Sequence, residues 1–242
     1  MRKLMFLAVL LVPSVAFATI VGTPHDLSNA TGGGSIKAAA SALNEQVCVY
    51  CHVPHGAQNA EALWSRPLDT STTITWGRSL TIRGTSLVDG APSNATARCL
   101  SCHDGTVALG DLTGSVGVSV AMSDPQGHLT GDMLDTSAGG KYIPRTNFGR
   151  NHPVGIPYAG EAGYLGHNSG VAAVTTEGYY NHVGGVITNG AGDRIRLSED
   201  PNTAGVYGLE CATCHDPHSD VAPKFLPFDN AGSAVCLTCH NK

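Results

Sequence analysis

The sequence predicts a mostly irregular fold of short helices and a few short strands or a hairpin, wrapped around an interior that side chains alone do not fill. Two features carry this. Glycine and proline are frequent, at 30 and 13 of 242 residues, and charged residues make up only 14%, which favours turns over long regular elements. In addition, all eight cysteines fall into four copies of one pentapeptide, Cys-x-x-Cys-His. The copies are Cys48/Cys51/His52, Cys99/Cys102/His103, Cys211/Cys214/His215 and Cys236/Cys239/His240.

Two thiols three residues apart can each form a thioether to one porphyrin, and the histidine that follows is placed to bind its iron. Competing readings are two zinc sites built from four Cys-x-x-Cys pairs and a framework of four disulfides. Neither explains why histidine follows the second cysteine each time. With 11 histidines in 242 residues, the chance at one position is roughly 5%, and four coincidences are on the order of 10⁻⁵. The pattern therefore implies four covalently attached haem c groups. The expected fold class is a mostly irregular multihaem cytochrome c wrapped around a stacked four-haem core.

Taken in order, residues 1–18 read as a secretory signal peptide. Arg2 and Lys3 are its basic end, Leu4 to Val12 its apolar run, and Ala16-Phe17-Ala18 its cleavage site. Residues 19–242 are then expected to form a single tetrahaem domain. Lys37 to Val47, rich in alanine, predicts a helix leading into Cys48. Thr72 to Val88 predicts extended chain, and Gly110 to Gly140, rich in Gly, Ser and Asp, predicts loop. Gly184 to Leu197 predicts a hairpin turning at Asn189-Gly190 and Gly192-Asp193. The first motif continues as His52-Val53-Pro54-His55 and the third as His215-Asp216-Pro217-His218, each followed by a plain motif. The chain thus divides into two haem pairs, 48–103 and 211–240, joined by a loop-rich insert.

Composition limits function. Loss of Arg2 and Lys3 with the leader takes the net charge from −5 to −7. No basic patch suggests nucleic acid, and no later segment resembles a transmembrane helix. No nucleophile–base constellation or phosphate loop is present, so the chain does not read as an enzyme. A multihaem reductase would need one open iron beside a substrate pocket.

Each iron needs a sixth ligand. Beyond the proximal His52, His103, His215 and His240, seven histidines remain, whereas only Met122 and Met133 follow the leader. Two methionines cannot serve four irons, so bis-histidine coordination is expected, with low potentials. His55 and His218 follow a proline that turns the chain away from the motif, so each is expected to reach a neighbouring haem. His152, within Asn151-His152-Pro153, and His25, within His25-Asp26-Leu27-Ser28, are the other expected distal ligands. Asp26 is read either as a partner of His25 or as a helix cap. His128, His167 and His182 read as surface residues. Tyr50, Trp64 and Trp76 are expected to pack on porphyrin faces.

In order, His25-Asp26-Leu27-Ser28, Cys48-Val49-Tyr50-Cys51-His52-Val53-Pro54-His55-Gly56, Cys102-His103-Asp104-Gly105-Thr106, Asn151-His152-Pro153 and Cys214-His215-Asp216-Pro217-His218 span nearly the whole mature chain. This series resembles the extracellular multihaem c-type cytochrome filament ("nanowire") family, most like its tetrahaem OmcE type. The resemblance implies long-range electron conduction through bis-histidine haems in a head-to-tail filament outside the cell or at its surface. It implies upstream redox proteins and extracellular electron acceptors as partners. It also implies that His55 is donated to a neighbouring subunit, to the haem at Cys236/Cys239, while His25, His152 and His218 complete the other irons. The rival reading is a monomeric periplasmic carrier with the same haems.

Overall fold

Glycines and prolines recur along the chain, and the elements among the described residues are short. The computed structural model describes residues 20–29, 34–39, 46–57, 61–74, 93–112, 114, 116–149, 151–158, 182–200 and 203–240. In chain order its strands are β1 (Lys37–Ala38), β2 (Asp111–Leu112), β3 (Val118–Ser119), β4 (Met122–Ser123), β5 (Leu129–Thr130), β6 (Met133–Leu134), β7 (Ile156–Pro157), β8 (Val186–Thr188), β9 (Arg194–Arg196), β10 (Ser198–Asp200) and β11 (Thr203–Leu209). The helices are α1 (Asn94–His103), α2 (Cys211–Cys214) and α3 (Ala234–Cys239). No helix among the described residues is long and apolar enough to cross a membrane.

The expected hairpin at 184–197 forms: β8 and β9 pair antiparallel with Ile187 opposite Ile195. The Asn189 side chain closes its turn by accepting from the amides of Ala191 at 3.0 Å and Asp193 at 2.9 Å. Two other expectations need correction. The helix expected from Lys37 to Val47 does not begin there: β1 pairs antiparallel with β4, and residues 40–45 lie outside the described residues. The loop expected from Gly110 to Gly140 carries β2–β3, β5–β6 and the strand β4. Two-residue strands are too short to show a period of two, and aspartates hold their turns. Asp124 accepts the amides of His128 and Leu129, and Asp135 accepts the Thr130 hydroxyl and the Ser137 amide. Gly110 is required where β2 meets β3, because an added Cβ would overlap the Val120 carbonyl. The three-stranded sheet, in order β10–β11–β7, was not expected from the sequence. Residues 1–18, most of 72–88, Trp76 and His167 lie outside the described residues.

Among the described residues, buried apolar side chains fall into four small clusters. Ile36, Leu109, Leu134 and Ala138 pack with Cys102. Tyr50 packs with Ala38, Leu112 and Val120. Leu100 packs with Ile74 and Phe148, and Tyr158, Ile187 and Leu197 pack with Cys239. Each cluster touches the first, second or fourth Cys-x-x-Cys-His motif, so the apolar burial that stabilises the chain also holds these three.

Candidate haem and iron sites

Each motif forms one helical turn. The amides of His52, His215 and His240 donate to the carbonyls of Cys48, Cys211 and Cys236 at 2.8, 3.0 and 2.9 Å, and the second motif lies within α1. At this spacing the two thiols of a motif lie on one face, as two attachments to one ring require. All eight cysteines are free. The residue before the second cysteine is buried in every motif: Tyr50, Ser101, Thr213 and Thr238. Their hydroxyls anchor three of the turns inward. Ser101 donates to the Arg98 carbonyl, Thr213 accepts the Glu210 amide, and Thr238 donates to the Ala234 carbonyl.

The proximal histidines share a second feature. Nδ1 of His52, His103 and His215 lies 2.5, 2.6 and 2.8 Å from the carbonyls of Ala62, Lys141 and Lys224. A carbonyl can only accept, so Nδ1 carries the proton and Nε2 keeps the lone pair that binds metal. His152 is held the same way by the Pro153 carbonyl at 2.9 Å. His182 has the opposite arrangement: its Nδ1 accepts the Gly185 amide at 3.2 Å, and its ring meets Tyr158 and Tyr207 edge-on. That tautomer packs a hairpin and does not present a lone pair at Nε2.

The histidine rings pair across the motifs. Ring centres are 6.1 Å apart for His25 and His103, 5.9 Å for His52 and His218, and 6.2 Å for His152 and His240. An imidazole nitrogen about 2.0–2.1 Å from a metal on each side separates two ring centres by roughly 6.3 Å. The donor set therefore fits one iron between each pair. His218 stands by His52 rather than by its own neighbour His215. His55 is exposed, and among the described residues neither it nor His215 has a histidine ring partner.

Electrostatics agree with a ligand role for His25. Burial first, then the nearby His103, His215 and His218, lower its pKa to about 4. Burial likewise lowers that of His103. Both rings are thus held neutral, the form that ligates metal. Phe225 stacks on His25 with ring centres 4.4 Å apart. Asp26 spends its carboxylate on the amides of Gly22 and Ser28 and the Ser28 hydroxyl, leaving Nδ1 of His25 without a hydrogen bond.

The thiols show which motifs are neighbours. Burial pushes the Cys51 thiol up to about 12, and Cys102 beside it adds to the shift. The Cys99 thiol lies beside Cys211 and, with burial, raises its pKa. Burial raises Cys214 and Cys239 to about 11, with Cys236 next to both. Thiols of consecutive motifs are therefore neighbours, first with second, second with third and third with fourth. Among the described residues no three or more of His, Cys, Asp and Glu converge as a metal polyhedron.

Buried polar residues tie these neighbours together, and sequence reading missed them. The Ser65 amide donates to the Cys51 carbonyl at 2.9 Å, and Arg66 donates to the Ser101 carbonyl at 3.1 Å, linking the first motif to the second. Glu210, the N-cap of α2, accepts the hydroxyls of Ser93 and Thr96 at the start of α1, linking the second to the third. Asn189 donates to Thr238, seating the β8–β9 turn on the fourth. Nδ1 of His128 and Oδ1 of Asp124 lie 3.6 Å apart in the β5–β6 region.

Residues 204–242, which hold the third and fourth motifs, match the family model for the doubled CXXCH motif. No curated protein sequence matches the chain. The doubled motif marks a multihaem c-type cytochrome that attaches haem c covalently through its CXXCH cysteines, a cofactor suited to electron transfer.

Proposed function

We propose that the chain is an exported tetrahaem electron-transfer cytochrome, not an enzyme. In this reading copies join head to tail into an extracellular, electron-conducting filament. His55 of one copy binds the iron of His215 in the next. One observation carries the proposal. Three ring pairs use His52, His103 and His240 with His218, His25 and His152, which leaves one proximal histidine, His215, and one exposed expected ligand, His55. The His152–His240 pair supports an internal ligand for the Cys236/Cys239 iron, so the exchanged bond moves from that site to the Cys211/Cys214 iron.

Bound haem supplies one-electron chemistry between ferric and ferrous iron. The chain's own part is positional. The motif cysteines would hold each ring, Nδ1 bonds to carbonyls aim Nε2 of His52, His103 and His215, and the paired imidazoles would serve as the iron ligands. A head-to-tail contact repeats without closing, which is the symmetry of a filament.

His55→Ala tests the proposal by electron microscopy together with electron paramagnetic resonance. The expected outcome is single chains with four haems, three low-spin irons and one high-spin iron that added imidazole converts to low spin. Filaments with four low-spin irons in this variant would overturn it. The runner-up is a monomeric periplasmic carrier in which His55 turns onto His215 of its own chain. The reciprocal His218–His52 pair favours that alternative, and a wild-type protein that stays single-chain with four low-spin irons would establish it.

A further inference from the structure

Arg66 is fully buried and unusual in its company. Nη1 donates to the Leu109 carbonyl at 2.5 Å, and Nη2 donates to the carbonyls of Ala108 at 2.6 Å and Ser101 at 3.1 Å. Among the described residues it has no carboxylate partner, and its Nε has no hydrogen bond at all. A permanently charged guanidinium is thus dissolved in backbone carbonyls, which compensate its desolvation without cancelling its charge.

Its position is as informative as its charge. Trp64, Ser65 and Arg66 form a strap across two motifs. The Ser65 amide bonds the Cys51 carbonyl, while the Trp64 indole and Arg66 bond Ser101, which lies between Cys99 and Cys102. Arg145, also buried near the second motif, is neutralised by Asp104 through a 2.6 Å bond. Asp26, a buried carboxylate near Tyr50 of the first motif, has the opposite sign but belongs to a separate turn closed on Gly22 and Ser28.

We infer that Arg66 is a redox-tuning residue: its uncompensated buried charge raises the reduction potential of the haems on the first and second motifs and leaves those on the third and fourth nearly unchanged. The inference rests on the haem-attachment reading above. Taking up one electron converts ferric iron to ferrous and adds one negative charge, which a nearby fixed cation stabilises. At an effective dielectric near 20 and a separation of roughly 10 Å, a unit charge shifts a one-electron equilibrium roughly tenfold. A cation fixed beside the first two motifs biases electrons toward their haems.

The test is spectroelectrochemical titration of haem-loaded wild type, Arg66→Gln and Arg66→Lys, with haem content measured on each by pyridine haemochrome. In Arg66→Gln two of the four one-electron steps should fall by roughly tenfold in equilibrium constant, about 59 mV each, while Arg66→Lys stays close to wild type. Unchanged potentials in Arg66→Gln, equal shifts in all four steps, or equal shifts in both variants would overturn the inference. If Arg66→Gln does not load haem, Arg66→Lys still decides. Raising the pH should discharge a buried lysine and lower two potentials there, with wild type flat; two flat profiles would overturn it. Fewer than four haems in the wild type would instead defeat the tetrahaem reading, and the haem count reports that separately.

Discussion

Asp104 follows a proximal histidine directly and is buried against Arg145, whose Nε donates to it at 2.6 Å. Its other oxygen accepts the amide and hydroxyl of Thr106, closing the turn at Gly105. Gly105 takes φ +73°, and a Cβ there would sit 2.5 Å from the Leu134 carbonyl, so Cys-His-Asp-Gly-Thr is one folded unit. Asp104→Ala removes the closest carboxylate of a buried guanidinium, leaving Arg145 the Asp69 carbonyl at 2.8 Å and the Asp69 carboxylate at 3.5 Å, and should destabilise the protein by about 1.5–3 kcal/mol, measured by chemical denaturation. Asp69 shows a different use of a carboxylate. Hydrogen bonds from Thr72 and Ser71 hold its pKa well below the usual carboxylate range. A depressed folded pKa means its contribution is present above the unfolded value near 3.9 and is lost as pH falls through the lower folded value. Asp69→Asn should therefore flatten the pH dependence of stability below about pH 4, read from acid-unfolding curves. At this scale the cysteines and proximal histidines were legible because covalent attachment demands fixed spacing. Their carbonyl partners were not, because every residue carries a carbonyl and only the folded path selects Ala62, Lys141 and Lys224.

Between residue and molecule, the repeat seen in the sequence returns as a loop geometry. After the first motif, His52 Nδ1 bonds the Ala62 carbonyl and the Val53 amide bonds the Leu63 carbonyl. After the third, His215 Nδ1 bonds the Lys224 carbonyl and the Asp216 amide bonds the Phe225 carbonyl. Ala62, Leu63, Lys224 and Phe225 all have positive φ, from 49° to 62°. Two successive left-handed residues fold the loop back over the histidine, at about 1–2 kcal/mol per residue. Ala62→Gly relieves that strain but loosens the unfolded chain by about 0.4–1 kcal/mol. The net expectation is a small stabilisation, up to about 1 kcal/mol, in thermal unfolding with the haem absorption unchanged. The repeated Cys-His-x-Pro-His predicted a shared local structure, but nothing in the sequence marks these non-glycine residues as left-handed. The Gly110 to Gly140 region was misread for a related reason. Its strands are set by pairing with partners and by aspartate-held turns, not by their own periodicity.

For the whole molecule, the decisive fact is that consecutive motifs lie side by side, with adjacent thiols at each step and buried polar links from the first to the second and from the second to the third. The four apolar clusters sit on the first, second and fourth motifs, so cofactor attachment and folding stabilise one another. If an intermolecular imidazole–iron bond holds the filament, free imidazole at neutral pH should compete for that bond before the internal ones, since internal ligands are held at high effective concentration by their own chain. The expected outcome is filament shortening by electron microscopy or light scattering with all irons still low-spin. Filaments that stay intact in molar imidazole would contradict exchange of His55. Acid should act in the same direction, because histidine must be neutral to ligate.

The sequence by itself marked covalent haem chemistry through its CXXCH motifs, which the family match bears out over residues 204–242. Thioether formation and axial ligation tolerate few residue types at few spacings, and that constraint is written locally. It also offered His25, His152 and His218 as ligands, from their turn contexts. Only the tertiary structure decided which ring faces which: His218 meets His52, His25 meets His103, and His152 meets His240. The same holds for the buried Arg66 and Glu210, whose partners lie 35 and 117 residues away. Long-range pairing depends on how short elements pack around a shared interior, and a burial pattern spread over clusters leaves no periodic trace in the chain.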